Sequence, residues 1–163
     1  MTDKTSKVAI ITGASRGIGA AVAERLATDG FTVVINYSAS AKPAETLARE
    51  IEGKGGQALA IKADVADAGA VRGMFDAAQA AFGGVDVLVN NAGIMTLARI
   101  ADSDDALFDR QIAINLKGSF NAMREAGKRL RDGAGSSISP PAWSGPSWKP
   151  TGSMPPPNRR SRP

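Results

Sequence analysis

Residues 8–19, reading Val8-Ala9-Ile10-Ile11-Thr12-Gly13-Ala14-Ser15-Arg16-Gly17-Ile18-Gly19, constrain the fold more than any other stretch. The apolar run Val8–Ile11 has the pattern of a strand covered on both faces. Ala20–Asp29 places Val22 and Leu26 at helical spacing, with Glu24 and Arg25 outward, and predicts an amphipathic helix. A glycine-rich turn joins the two. Gly13 permits a tight turn, Gly17 lets backbone approach a ligand, and Gly19 lets the helix pack close to the strand. The free N–H groups of the helix's first turn, at the positive end of its dipole, then face a pyrophosphate. A glycine loop that holds nothing is the plain alternative; the strand before it and the helix after it argue for the ligand.

The remaining chain alternates strands and helices. Thr32–Tyr37, Gln57–Lys62 and Val85–Asn90 read as strands, the first of them β-branched and apolar throughout. Pro43 suits the first turn of a helix ending near Gly53, and Ala68–Phe82 reads as another. Asp104–Arg131 reads as one long helix, with acids at its start and Lys128, Arg129 and Arg131 at its end, as the dipole prefers. This order predicts an α/β fold, a Rossmann-like doubly wound parallel sheet with right-handed crossovers. In such sheets ligands sit at the carboxyl ends of the strands. Gly13–Gly19, Asn36–Ser38, Asp64 and Asn90–Gly93 all follow a predicted strand, so they are expected to share one crevice.

Composition narrows the reading. The 163 residues suffice for one domain with a real core. The chain has no cysteine and no histidine, so no disulfide framework and no metal site is expected. The polar Met1–Lys7 is not a signal peptide, and no apolar run approaches a membrane span, so a cytoplasmic protein without a membrane partner is expected. The net charge of +4 resides in Lys149, Arg159, Arg160 and Arg162, while the residues before them balance 16 bases against 16 acids. A nucleic-acid-binding domain is therefore not expected. Eight of the nine prolines and both tryptophans fall between Ser136 and Pro163, which predicts a disordered, basic, proline-rich tail at 136–163 after a domain at 1–135. A tail that docks on a protein or an acidic polymer is the alternative to plain disorder.

Thr12-Gly13-x-x-x-Gly17-x-Gly19 and Asn90-Asn91-Ala92-Gly93, with Asp64-Val65 between them and Asn115 after, resemble the short-chain dehydrogenase/reductase family from about Lys7 to Leu130. Within that family the chain is most similar to 3-oxoacyl-[acyl-carrier-protein] reductase-like and glucose dehydrogenase-like members. The resemblance implies that Gly13, Ser15, Arg16, Gly17, Ile18 and Gly19 cradle the pyrophosphate. It implies that Asp64 binds the adenine amino group, that Val65 packs beside the ring, and that Asn91, Ala92 and Gly93 line the riboses. Asn90 is expected to tie neighbouring strands through its amide. Asn115 is the implied catalytic-site asparagine, holding a kink in its helix and, through its carbonyl, a water on the proton relay. The end of the second strand, Asn36-Tyr37-Ser38, carries no carboxylate to bind a ribose 2′-hydroxyl, whereas Arg16 offers a guanidinium to a 2′-phosphate; NADP(H) is favoured over NAD(H). The implied reaction is hydride transfer between the nicotinamide and a small carbonyl or secondary alcohol, by a homo-oligomer (dimer or tetramer).

The chain departs from the family where the chemistry belongs. The carbonyl-polarising serine and the Tyr-x-x-x-Lys pair are absent, and the only tyrosine is Tyr37. The fifth strand, the substrate loop and half of the dimer-forming helix pair are expected to be missing as well. The chain is thus expected to be inactive as written, or a non-catalytic dinucleotide-binding remnant. A frameshift after about residue 135 is the expected source of the departure. Read one nucleotide back, Met154 becomes Tyr, His, Asn or Asp, Pro155 must become Ala, and Asn158 becomes Lys, Gln, Glu or stop. Pro141 can become Ser, so the shifted frame allows Ser and Tyr-Ala-x-x-Lys at their family places. The coding DNA around residues 133–158 checks this: the shifted frame is expected to encode Tyr at position 154 and Lys at 158, and any other pair there refutes it.

Overall fold

The computed structural model describes residues 6–138. Five parallel strands form one sheet in the order β3-β2-β1-β4-β5. They are β1 (Val8–Ile11), β2 (Thr32–Tyr37), β3 (Gln57–Lys62), β4 (Val85–Asn90) and β5 (Leu130–Ile138). The helices are α1 (Gly17–Thr28), α2 (Ala41–Gly53), α3 (Ala68–Phe82), α4 (Asp105–Ile112) and α5 (Ser119–Arg129). Chain order reverses direction across the sheet between β1 and β4, the position at which a doubly wound sheet opens a crevice.

Strand pleating sorts the core into two layers. Val8, Ile10, Val34 and Leu88 pack with Val71, Met74 and Phe75 of α3 and Ala122 and Ala126 of α5. The alternate residues Ala9, Ile11, Val33, Ile35 and Val89 pack with Ala23 of α1 and Leu47 and Ile51 of α2. A strand covered on both faces has no polar side to alternate with, which is why the central strands read as unbroken apolar runs. α3 is closed at both ends by its own sequence: Asp67 accepts from the backbone N–H groups of Gly69 and Ala70, and Gly83 takes the left-handed conformation after it.

Two expectations are corrected. The predicted helix over Asp104–Arg131 is three pieces, with a π-helical turn at Ala113–Gly118 between α4 and α5, and it stops at Arg129. The fifth strand, expected to be missing, is present: β5 pairs in parallel with β4, from Val85 opposite Leu130 to Asn90 opposite Ile138, with a register shift between Val85 and Val87. Strand pairing is a main-chain interaction, so a glycine- and serine-rich segment can complete the ladder of an apolar neighbour despite low strand propensity. Its start is fastened at Asp86, whose Oδ2 accepts from the Val8 backbone N–H and from Arg131 Nη2, both at 2.7 Å. Ser136–Ile138 therefore belong to the sheet rather than to the expected tail, and the rest of that expected tail lies outside the described residues.

Candidate functional site

The carboxyl ends of β1, β2, β3 and β4 meet at a cavity of about 460 Å³. Of the residues singled out in the sequence, Gly13, Ser15, Arg16, Ile18, Asn36, Tyr37, Ser38, Asp64, Val65, Asn91, Ala92 and Gly93 line it. Gly17, Gly19 and Asn115 do not.

The glycines have separable reasons. Gly13 has φ +63°, and a Cβ on it would sit 2.8 Å from Ala92 Cα. Gly19 is buried, and a Cβ there would lie 2.5 Å from Asn91 Nδ2 and 2.8 Å from Gly13 O, so the helix abuts the strand ends as expected. Gly17 has φ +60° and nothing within 4 Å of a Cβ, so its backbone conformation and not crowding demands glycine. Arg16 stands at the N-cap of α1 without a side-chain cap bond, and the first turn holds no acid. Among the described residues the first-turn N–H groups therefore have no side-chain cap, and no acid within the turn offsets the dipole's positive end.

Three polar side chains hold the strand ends together. Thr12, only 1 % exposed, accepts at its Oγ1 from the backbone N–H groups of Asn91 and Ala92, each at 3.0 Å. Asn91 Nδ2 donates to Thr12 O at 2.9 Å and Gly13 O at 3.1 Å. Asn36 accepts from Gly13 N at 3.2 Å and donates to Ala63 O at 3.0 Å. These bonds alter two expectations. The tie between strand ends comes from Asn91, whereas Asn90 Nδ2 has no hydrogen-bond partner among the described residues. Asn36, expected beside the ribose, turns its carboxamide inward and positions the glycine turn.

Asp64 is exposed, and its Oδ1 accepts from Ala66 N at 2.9 Å. Asn115 lies in the π-helical turn and clasps Ile94 both ways: Oδ1 accepts from Ile94 N and Nδ2 donates to Ile94 O, each at 2.8 Å. Its backbone carbonyl accepts from Ser119 Oγ at 2.9 Å. The sequence reading missed Thr12 as the stitch, and missed Ile94, Met95, Arg110 and Ile114 as cavity walls. Arg110 and Ile114 lie one turn apart on the helix leading to Asn115, a spacing that would have found them.

The chemistry of the cavity lining suits an anionic ligand. Among the described residues its charged lining is Arg16 and Arg110 against Asp64, and a helix start without a side-chain cap opens beside it. A larger cleft of about 780 Å³, bordered by Gly30, Lys54, Gly56 and Gln57, lies at the other end of the sheet. Helix C-termini converge there, and their carbonyls disfavour a phosphate, so that cleft is the less suited of the two to an anion.

A family model for short chain dehydrogenases matches residues 7–139. The chain belongs to the short-chain dehydrogenase family. It is 44 % identical over 123 residues to a 3-oxoacyl-[acyl-carrier-protein] reductase of Staphylococcus aureus, covering 76 % of this chain and 50 % of that protein. It is 43 % identical to an NADPH-dependent aldehyde reductase-like protein, chloroplastic, of Arabidopsis thaliana, covering 81 % of this chain and 53 % of the relative. A short chain dehydrogenase from Burkholderia cenocepacia, solved in complex with NADP, superposes with a TM-score of 0.79 at 41 % identity, covering 83 % of this chain and 56 % of that one. This short-chain dehydrogenase chain thus spans about half the length of the relatives it matches. Thr12→Val tests the stitch: leaving the Asn91 and Ala92 N–H groups without their acceptor is expected to cost about 2–3 kcal/mol, read as a lowered denaturation midpoint.

Proposed function

We propose that this chain binds NADP(H) in the crevice at the carboxyl ends of its strands and is the cofactor-binding half of an oxidoreductase. Such an enzyme moves hydride between the nicotinamide and a small carbonyl or secondary alcohol. In this reading the uncapped N–H groups of α1, beside Gly13, Ser15, Gly17, Ile18 and Gly19, receive the pyrophosphate. Asp64 has an acceptor oxygen for the adenine amino group, Val65 forms the apolar wall beside it, and Asn91, Ala92 and Gly93 border the riboses. One observation carries the choice of NADP(H) over NAD(H). With Asn36 bonded inward, no carboxylate stands at the end of β2, and the Arg16 guanidinium makes no hydrogen bond among the described residues. A 2′-phosphate beside Tyr37 and Ser38 would meet a cation and no repelling acid. The relatives support this, one solved with NADP and one named as NADPH-dependent.

When bound, the nicotinamide supplies the hydride. This chain's residues bind and orient the dinucleotide, and Asn115 fixes the loop at Ile94 next to it. The proton donor of the reaction is not among them, since Tyr37 is the chain's only tyrosine and lies at the adenosine end. Binding without turnover is therefore the proposed behaviour of this chain alone. Self-association belongs to the same reading: Phe108 and Ile112 of α4, Leu116 of the π-helical turn and Phe120 of α5 are exposed apolar residues on which a second copy could bury surface. A mass that stays monomeric at high concentration would remove that part.

Fluorescence titration with NADPH and NADH tests the cofactor assignment. Arg16→Ala is expected to weaken NADPH by about tenfold or more while moving NADH by less than about threefold. Equal losses for both would refute the role of Arg16, and no binding by folded wild-type protein would refute the function.

A further inference from the structure

Asparagine and glycine are poor helix formers, yet Asn115, Gly118 and Asn121 recur within the helical stretch from α4 to α5. Such residues persist inside helices when a contact elsewhere requires them. Asn115 clasps Ile94, on the loop after β4. Gly118 and Asn121 instead face the loop after β3. A Cβ on Gly118 would come within 2.6 Å of Val65 Cγ2, so only glycine lets the helix lie against that residue. One turn later Asn121, only 2 % exposed, donates from Nδ2 to Val65 O at 2.9 Å and to Ala66 O at 3.4 Å. Its Oδ1 accepts from Arg124 Nη2 at 3.2 Å, which fixes the carboxamide with its donor toward the loop.

The loops at Ile94 and at Val65, which both border the crevice, are thus tied to one helical stretch. The loop at Val65 is held at its start by Asn36 from β2, through Ala63 O. Asn121 grips it in the middle, and no other helix side chain among the described residues hydrogen-bonds to Val65 or Ala66. Without that bond two main-chain carbonyls at a largely buried site lose their donor, and the loop that carries Asp64 and Val65 loses its fixed distance from Ile94.

Resting on the NADP(H) reading above, we infer that Asn121 is a positioning residue for the adenosine half of the cofactor. It does not touch the cofactor. Through the Val65 carbonyl it holds the wall on which the adenine ring lies, so the binding energy of that half depends on it.

The test compares wild type with Asn121→Leu, which keeps the size and removes the donor, by calorimetric titration well below the unfolding temperature of both. The probes are NADPH, adenosine 2′,5′-bisphosphate and reduced nicotinamide mononucleotide. N121L is expected to weaken NADPH and adenosine 2′,5′-bisphosphate alike, by about tenfold, and to leave the mononucleotide unchanged. A merely structural role would lower the melting temperature without separating the two halves. Wild-type affinity for adenosine 2′,5′-bisphosphate in folded N121L, or equal losses for both halves, overturns the inference. If N121L does not fold, Asn121→Ala, which removes the same donor without adding a charge, carries the same expectations. If neither variant folds, Asn121 is a folding residue and the inference falls. Wild type that binds none of the three probes overturns the proposed function and this inference together, whereas a failure confined to the variants leaves that function standing.

Discussion

Parallel strands that end side by side leave their last N–H and C=O groups without a ladder, and in this protein side chains take over that pairing. The Thr12 hydroxyl, the Asn91 carboxamide and the Asn36 carboxamide hold the ends of β1, β4 and β2 to one another and to the residue after β3. Thr12 and Asn36 are each 1 % exposed, so their bonds compete with little water. The glycine turn can then run close beside the Asn91–Gly93 loop, at the distance that leaves Gly13 and Gly19 no room for a Cβ. The uncapped start of α1 and the cavity both follow from this arrangement.

The same interactions explain how much of the fold the sequence revealed. Strands β1 to β4 and helix α3 have the bounds that their patterns predict, because apolar runs under two helix layers and a helix capped by Asp67 and Gly83 carry local signals. α1 begins at Gly17 rather than near Ala20, since glycines at a helix start hide it from propensity. β5 was illegible for a different reason. Residues 130–138 lack the alternation of a strand, and what recruits them is the open edge of β4 together with the Asp86–Arg131 pair.

The site was legible as a place more than as a set of contacts. Spacing alone brought the glycine turn, the end of β2, Asp64 and the Asn91–Gly93 loop to one crevice, and the structure gathers them there. Which way an asparagine points is a tertiary fact. Asn36 and Asn91 turn toward backbone because unpaired strand-end groups are nearer to them than open cavity. Arg110 and Ile114 share one face at helical spacing on the way to Asn115, but that this face meets the cavity depends on clasps at Ile94 and Val65, which are tertiary contacts.

The central claim is that the crevice is built before any ligand arrives. Amide hydrogen exchange of the ligand-free protein measures it most directly, at Gly13, Asn91 and Ala92. Bonded to side chains, these amides are predicted to exchange slowly, near the rates of β1, and to change little when NADPH is added. Exchange as fast as in exposed loops, slowed only by NADPH, would show that the ligand assembles the site and would contradict the account.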